Sequence, residues 1–305
     1  KVQNEALDRI SKMTFKVSIP EICLNKNGEP LSTVISSDKK IHLMRLVRYV
    51  DGIPMSEYRP HTKEFLEELG RMCGVITKSL HKISSIPPKR KLLWEMHDVE
   101  KNISEFIPYI KEKKLRECVR KSIDFYSESL LPLEKKLRKG WIHNDFNNYN
   151  ILVVPNLTGS HELGLIDFGD MTHSYLIADL AVACAYAMLD KSDFLGAAVH
   201  LTAGFHGSFA LEECEIEILF PMVLARLCLS VTLGAFQQKK DPKNEYLGIS
   251  QKPVRELLEK LQNINHRYVK YLFRDACKIE ACPMESEFIK WQKKEACKFF
   301  GLLGK

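Results

Sequence analysis

Two short polar stretches decide how this 305-residue chain is interpreted: HNDFNNYN at residues 143–150 and DFGD at residues 167–170. Two apolar runs, residues 150–154 and 162–166, lie between them and are joined by a segment rich in turn-forming residues. Apolar runs of this length on either side of a polar turn are typical of paired antiparallel strands. The sequence therefore predicts a β-hairpin with a polar stretch at each of its open ends.

Asp145, Asn150 and Asp167 are the side chains at these ends that suit phosphoryl transfer. Because a hairpin returns the chain to the edge where it started, we expect all three to lie close together. Phosphoryl transfer needs a carboxylate that orients the attacking hydroxyl and accepts its proton, which Asp145 supplies. It also needs oxygen ligands for Mg²⁺, which Asn150 and Asp167 supply. The order H-x-D-x-x-x-x-N, hairpin, D-F-G is that of the kinase signature, and two ordinary turn aspartates explain it less well.

Over nearly its whole length the chain resembles the aminoglycoside phosphotransferase and choline kinase family of small-molecule kinases, and most closely the hydroxylysine kinases within it. The similarity is carried by residues 141–153, 165–171 and 46–52. It implies an α+β, protein-kinase-like fold of two lobes. Residues 1–50 would form part of a strand-rich N-lobe, and residues 51–305 a helical C-lobe that contains the catalytic β-hairpin, with the hinge at about residues 46–52.

The resemblance also implies roles for residues outside the signature. The backbone of Leu46, Arg48 and Val50 would meet the purine edge of the nucleotide, although a plain edge strand is the alternative interpretation of this segment. Asp179 would brace the catalytic loop. Independently of the resemblance, His143 is expected to brace the same loop through a backbone hydrogen bond rather than to act as a general base.

Parts of the nucleotide-binding lobe of this family are not found in the sequence. Its glycine-rich phosphate loop and its strand lysine are expected upstream of Lys1. The glutamate that pairs with that lysine should fall within residues 1–10, where alignment favours Gln3 and chemistry favours Glu5. Both residues stay open as candidates.

A protein kinase is a poor match to the same sequence. Asn144 stands where protein kinases carry the arginine that reads a phosphorylated activation loop. A hydrophobic helix is predicted to begin near Leu176, which leaves no room for an activation segment. A peptide substrate would therefore have no platform.

The resemblance to hydroxylysine kinases implies that the acceptor is the hydroxyl group of 5-hydroxy-L-lysine, a small hydroxylated amino acid, with GTP or else ATP as donor. This acceptor carries two ammonium groups and one carboxylate, so its pocket should contain acids and an arginine. Asp170 is the candidate for an ammonium group, with a metal-proximal or helix-initiating role as the alternative. Arg226 is the candidate for the carboxylate, with an internal ion pair as the alternative. Trp94 and Tyr186 are expected in the core.

Two other functions stay open at this point. Another small-molecule kinase of the same family would act on choline, ethanolamine, homoserine or an aminoglycoside. A catalytically silent nucleotide-binding protein is the alternative from a different class. The presence of Asp145, Asn150 and Asp167 disfavours it.

The composition excludes several further classes. Lys and Arg number 45 and Asp and Glu 39, a net charge of +6 without a basic stripe, so nucleic acid is not an expected partner. The nine cysteines are scattered without a C-x-x-C pair, which predicts reduced thiols and a cytoplasmic protein. The apolar segment 218–236 contains Pro221 and Arg226, so it predicts a buried helix rather than a membrane span.

The spacing of apolar residues predicts the other elements. A short helix is expected within residues 1–10, before the strands. Strands are expected at 21–25, 32–36 and 41–50, and longer helices at 65–83, 98–108, 111–138, 176–190, 192–205, 212–237 and 252–276.

Overall fold

The computed structural model describes all residues except 86, 88–91, 156–160, 244, 283 and 300–305. The chain starts with one helix and a run of short strands and continues as a helical body that contains the hairpin. The helices are α1 (Val2–Ser11), α2 (Lys63–Leu80), α3 (Val99–Phe106), α4 (Lys113–Leu130), α5 (Ile177–Ala187), α6 (Phe194–Ser208), α7 (Glu213–Lys240), α8 (Glu245–Leu261), α9 (His266–Ala276) and α10 (Glu285–Phe299). The strands are β1 (Ile22–Cys23), β2 (Ser32–Ile35), β3 (Ile41–Met44), β4 (Leu46–Val47), β5 (Ile53–Pro54), β6 (Lys139–Ile142), β7 (Ile151–Pro155), β8 (His161–Leu165) and β9 (Thr172–Tyr175).

The predicted hairpin is confirmed as β7 and β8, which pair antiparallel with Ile151 opposite Leu165. The turn that joins them, residues 156–160, lies outside the described residues. β5 pairs antiparallel with the other edge of β7, so the segment after the predicted hinge is attached directly to the hairpin. β7 therefore has a partner strand on each edge, which fixes the open end of the hairpin.

The first strands form two separate antiparallel pairs, β1 with β4 and β2 with β3. The segment predicted as one strand, residues 41–50, is divided at Arg45, because β3 and β4 pair with different partners. Most side chains of these strands are exposed or half-buried. They contribute little to the hydrophobic core.

Helix α7 lies at the centre of the helical body. It is long and apolar enough to cross a membrane, but 94% of its apolar window is buried inside the fold, which is the burial of a core helix. It packs against α3, α4, α5, α8 and α9. The prediction of a buried helix over residues 218–236 is confirmed.

The predicted helix over residues 111–138 is wrong at its end. Helix α4 stops at Leu130, and Pro132 follows, which lacks the N–H that a helix interior needs. The residues after the break form β6, which pairs with β9 just after the DFGD stretch. This pairing was not predicted, because its two strands are separated by about thirty residues and neither is long enough to give a clear pattern.

The predicted helix over residues 252–276 is two helices, α8 and α9. The side chain of Asn265 accepts hydrogen bonds from the backbone N–H groups of Arg267 and Tyr268 at 2.9 and 3.3 Å, so it caps a new helix. Helix α8 also begins earlier than predicted and contains Pro253. Helix α10 was not predicted.

Candidate active site

Asp145 is held by three side-chain donors at the open end of the hairpin. Arg226 Nη2 donates to Asp145 Oδ1 at 2.8 Å, and the amide groups of Asn147 and Asn150 each donate to Oδ2 at 2.8 Å. The Asp145 side chain is 16% exposed, whereas that of Arg226 is 2% exposed. The carboxylate is thus fixed in orientation from inside the protein while one side stays open to solvent.

Asn150 lies one turn further along the same loop and is 9% exposed. Its Nδ2 donates to the backbone oxygen of Asp145 at 3.0 Å as well as to the carboxylate. The amide nitrogen is therefore committed to Asp145, and the amide oxygen, Oδ1, is the atom that suits a cation.

Asp167 follows the end of β8 and adopts a left-handed backbone conformation, with φ of 59°. One of its carboxylate oxygens accepts the N–H of Gly169 at 3.1 Å, which closes the short turn over residues 168–170. The residue is exposed, and Asp170, in the same turn, is half-buried. Aspartate adopts this backbone conformation more readily than most residues, because its short polar side chain bonds the local backbone.

The DFGD turn is also contacted from helix α1. Gln3 Nε2 donates to the backbone oxygen of Gly169 at 3.3 Å, whereas Glu5 is paired with Arg9 on its own helix at 3.1 Å. Of the two residues that the sequence left open, Gln3 is therefore the one that reaches this turn.

His143 lies between the two predicted functional aspartates and is fully buried. Its Nδ1 accepts the N–H of Asp145 at 3.3 Å, so Nε2 carries the proton and donates to the backbone oxygen of Ile166 at 3.0 Å. Burial lowers the pKa of His143 to about 4, against the opposing influence of Asp145 and Asp167. The ring is neutral at pH 7 and has the contacts of a residue that braces the loop.

Asp179, near the start of α5, binds the backbone of the same loop. Its two carboxylate oxygens accept the N–H groups of His143 and Asn144 at 3.1 and 2.7 Å. Burial raises the pKa of Asp179 to about 7, although both backbone donors favour the charged form. Asn144 has a φ of 71°, so the carboxylate bonds the loop at the point where its backbone turns sharply.

Arg226 stands in an apolar helix, and its charge is surrounded by specific partners. Its Nη1 donates to the backbone oxygen of Trp94 at 3.2 Å, and its guanidinium carbon lies 5.1 and 5.5 Å from the ring centres of Trp94 and Tyr186. Burial works against the charge, yet Tyr186 and Asp145 together raise the pKa of Arg226 above its usual value. The geometry is that of an internal ion pair, the second of the two roles that the sequence left open.

The residues expected at a metal site are oxygen donors, Asn150 and Asp167. Among the residues that the structure describes, no group of three or more His, Cys, Asp or Glu side chains could hold a metal ion by itself. One amide oxygen and one carboxylate are nevertheless the set that suits Mg²⁺, which keeps several waters and binds phosphate oxygens beside a few protein ligands. The donor chemistry fits that ion together with a nucleotide.

Part of the backbone of the predicted hinge is already hydrogen-bonded within the protein. The backbone N–H of Arg48 donates to Glu21 O at 2.8 Å, so this group is not available to a purine, and the two side chains form an exposed ion pair. Leu46 is 69% exposed and Val50 is buried. Nucleotide contacts of this segment stay a prediction.

A cavity of about 400 Å³ lies next to the catalytic loop. Trp94 and Tyr186 pack against the core, as expected, and also line this cavity. Arg59 and His61, which sequence reasoning did not single out, line it too. These two residues belong to no motif, and only the pairing of β5 with β7 brings their segment to the loop.

Comparisons with known proteins identify the family of the chain. The profile of the phosphotransferase enzyme family matches residues 5–214. The chain belongs to this family. A hydroxylysine kinase from Bos taurus is 26% identical over 272 residues, which cover 84% of this chain and 71% of the relative. One from Xenopus laevis is 28% identical over 263 residues, covering 81% and 70%.

Solved structures confirm the expected α+β, protein-kinase-like fold. The microcompartment-associated aminopropanol kinase superposes with a TM-score of 0.61 at 17% identity, covering 90% of this chain and 83% of its own. An amicoumacin kinase in complex with AMP-PNP and Ca²⁺ superposes with a TM-score of 0.60 at 12% identity, covering 87% and 79%. The family profile and the hydroxylysine kinase relatives show that the chain is a small-molecule kinase, a phosphotransferase that acts on a hydroxyl group.

Proposed function

We propose that this kinase transfers the terminal phosphoryl group of GTP or ATP to the hydroxyl group of 5-hydroxy-L-lysine, with Mg²⁺ as the metal ion. The observation that carries the proposal is the Asp145 carboxylate, held by Arg226, Asn147 and Asn150, with Asn147 also lining a cavity next to it. The choice of acceptor is supported by the similarity to hydroxylysine kinases. The eight described cysteines are free thiols, in keeping with the cytoplasmic location that we propose.

In the proposed reaction Asp145 orients the acceptor and takes its proton. A carboxylate has roughly four lone-pair sites, and the three side-chain donors occupy three of them, which leaves one for the acceptor hydroxyl. The hydroxyl oxygen bonds to the terminal phosphorus as the bond from phosphorus to the bridging oxygen breaks. The hydroxyl proton passes to Asp145, and the nucleoside diphosphate leaves.

Two residues at the open end of the hairpin would hold the metal ion, Asn150 through its amide oxygen and Asp167 through its carboxylate. When bound, Mg²⁺ neutralises the charge on the phosphate oxygens. Because Asn150 Nδ2 bonds both the backbone and the carboxylate of Asp145, the metal-binding amide and the base are fixed relative to one another. His143 and Asp179 hold the loop that carries Asp145 and Asn150, since they bind the backbone of residues 143–145 and of Ile166.

The nucleotide base would lie against the hinge, at Leu46, Arg48 and Val50, and the division into lobes at residues 46–52 belongs to the same proposal. The exposed side chain of Leu46 supplies an apolar surface for a purine. Asp170 is kept as a candidate contact for an ammonium group of the acceptor.

The test is a steady-state assay of the full-length enzyme with ATP and with GTP, each with Mg²⁺, over a panel of acceptors. The panel contains 5-hydroxy-L-lysine, homoserine, choline, ethanolamine and an aminoglycoside. We expect the highest kcat/KM for 5-hydroxy-L-lysine. Asp145→Asn should lower kcat by about 10²–10⁴-fold, because it removes the proton acceptor, while nucleotide binding measured by calorimetry changes little.

Each departure from this result has a definite meaning. A higher kcat/KM for choline or ethanolamine would contradict the acceptor and leave the kinase assignment in place. Near-native kcat in Asp145→Asn would contradict the assigned base. Nucleotide binding without turnover of any acceptor would favour the catalytically silent alternative.

A further inference from the structure

Asn147 connects the cavity beside the loop to the Asp145 carboxylate. Asn147 lines the cavity and also donates to Asp145 Oδ2 at 2.8 Å. Trp94 and Tyr186, which contact the buried Arg226, line it as well. An acceptor whose hydroxyl group lies at Asp145 would therefore extend into this cavity.

Arg59 lines the same cavity. One edge of its guanidinium group has no hydrogen-bond partner among the described residues. Its Nη1 donates to the backbone oxygens of Met55, Ser56 and Tyr58 at 3.3, 3.1 and 2.6 Å, which anchors the group to its own loop. Within the described part of the chain, no carboxylate lies within ion-pair distance of Arg59, and Nε and Nη2 make no hydrogen bond to protein. This fork is the geometry that binds a carboxylate through two parallel hydrogen bonds.

A second cation is held nearby through a neutral histidine. Lys191 Nζ donates to Nδ1 of His61 at 2.7 Å, so Nε2 carries the ring proton and donates to Met55 O at 3.1 Å. Burial, Lys191 and Arg59, in that order, lower the pKa of His61 to about 4. The ring also stacks on Phe65, with 5.1 Å between centres. Lys191 is thus positioned by a side chain that does not neutralise its charge.

The charges around this end of the cavity favour an anion. Burial and Arg59 lower the pKa of Lys191, which means that the two cations are close enough to disfavour one another. Asp190 acts in the opposite direction, and it is the one acidic side chain among the described residues that line the cavity. Two cations against one exposed carboxylate leave a positive excess where a ligand would enter.

Two more polar atoms of the lining have no partner. Ser56 Oγ and Asn148 Oδ1 are buried, and neither has a hydrogen-bond partner among the described residues. The two residues are adjacent, since Ser56 N donates to Asn148 O at 2.9 Å. Buried oxygens without donors are unfavourable unless a ligand or water supplies a hydrogen bond, and an ammonium group would do so.

We propose that Arg59, supported by Lys191 through His61, binds the carboxylate of the acceptor. The acceptor is then a hydroxylated amino acid rather than an amino alcohol, with its hydroxyl group at Asp145 and its carboxylate at Arg59. The inference rests on the proposed function and adds the residue that selects for the carboxylate of the acceptor. It also assigns the carboxylate to Arg59 instead of Arg226, because both terminal nitrogens of Arg226 are already bound within the protein.

The decisive experiment compares two acceptors that differ by the carboxylate alone, 5-hydroxy-L-lysine and its decarboxylated amine. Arg59→Gln should lower kcat/KM for the amino acid by about ten- to a hundredfold, mainly through KM, because the charged contact is lost. The amine should be a poor substrate of the wild type and should be unaffected by the substitution. The KM for the nucleotide should not change.

Three further variants make this comparison specific. Lys191→Met should produce a smaller loss in the same direction, and Arg59→Lys should restore part of the affinity for the amino acid, since it keeps the charge without the fork. Arg120→Gln, a matched change of an exposed arginine on α4, should alter neither acceptor. Thermal unfolding of each variant tests whether Arg59→Gln keeps the fold, and Lys191→Met carries the test if it does not.

Binding without turnover separates this inference from the proposed function. L-Lysine has the carboxylate and lacks the hydroxyl group, so calorimetry should show that it binds more tightly than cadaverine and that Arg59→Gln removes the difference. If this holds while no acceptor is phosphorylated, the proposed function fails and the carboxylate site stands. Equal losses for both acceptors, a raised nucleotide KM, or equal binding of L-lysine and cadaverine would overturn the site.

Discussion

The first fifty residues and the helical body hold their functional groups in opposite ways. In β2 and β3 all but one of the residues are exposed, whereas every residue from 218 to 234 of helix α7 is buried. Each region contains an ion pair between an arginine and an acid. The side chains of Arg48 and Glu21 are 73% and 69% exposed, and those of Arg226 and Asp145 are 2% and 16% exposed. Asp145, the residue assigned as the base, is fixed by the core, whereas Leu46 and Arg48, assigned to the nucleotide, are exposed.

The largest expected effect is on the buried pair. Arg226→Met should lower the free energy of unfolding by about 3–5 kcal/mol, because it leaves Asp145 without its counter-charge in a partly buried position. Guanidinium denaturation measures this change. A loss below about 1 kcal/mol would mean that solvent, rather than the core, stabilises the Asp145 carboxylate.

A similar effect is expected from pH on the buried histidine. The folded protein holds His143 neutral with a pKa lowered to about 4, whereas the unfolded chain has the ordinary value near 6.5, so the unfolded state takes up the proton first as pH falls. The stability from this residue is therefore lost between about pH 6.5 and pH 4. The difference between these two pKa values corresponds to about 3 kcal/mol of unfolding free energy.

His143→Gln removes this dependence and provides the reference. The difference in unfolding free energy between the wild type and His143→Gln should shrink as pH falls through that range. The raised pKa of Asp179 acts with the opposite sign, because its stability contribution falls as pH rises from about 4 to about 7, but it is present in both proteins. A difference that stays constant with pH would contradict the neutral, buried His143.

The next effect concerns the assigned metal ligands. Asn150→Ala and Asp167→Asn should each raise the Mg²⁺ concentration needed for half-maximal activity by about tenfold and lower kcat, with the double variant losing less than the sum. Titrating Mg²⁺ at saturating nucleotide measures both the Mg²⁺ requirement and kcat. Additive losses with an unchanged Mg²⁺ requirement would argue that the two residues do not share an ion.

The smallest effect is expected at the exposed pair. Arg48→Met should change the free energy of unfolding by less than about 1 kcal/mol, because exposed ion pairs are screened by water and salt. This variant matches Arg226→Met in chemistry and differs from it in burial. If both substitutions cost the same, the contrast between the two regions is wrong.

The parts of the site that the sequence predicted are those held by local geometry. Asp145 and Asn150 are five residues apart on one loop, and β7 and β8 follow one another directly, so motif spacing and hairpin logic were sufficient to bring them together. Asp179 was expected to brace this loop from the family resemblance, and its two hydrogen bonds to the backbone have that geometry.

The parts that were not predicted depend on contacts between distant segments. Arg59 and His61 belong to the loop before α2 and reach the site only because β5 pairs with β7. Arg226 lies 81 residues from Asp145, and its apolar surroundings suggested either a ligand or an internal partner with equal force. A single sequence gives no signal for such pairs, since nothing in the spacing of the residues encodes them.

The loop over residues 55–61 is the part of the enzyme where a change of acceptor preference would disturb the fold least. It carries Arg59 and His61 but is largely outside the core, with only Met55 buried. Most of its side chains are therefore replaceable at little cost to folding, whereas Asp145 is held by Arg226 and its loop by Asp179, both on buried helices. New acceptor preferences could arise by substitutions in this one surface segment while the reaction itself is inherited unchanged.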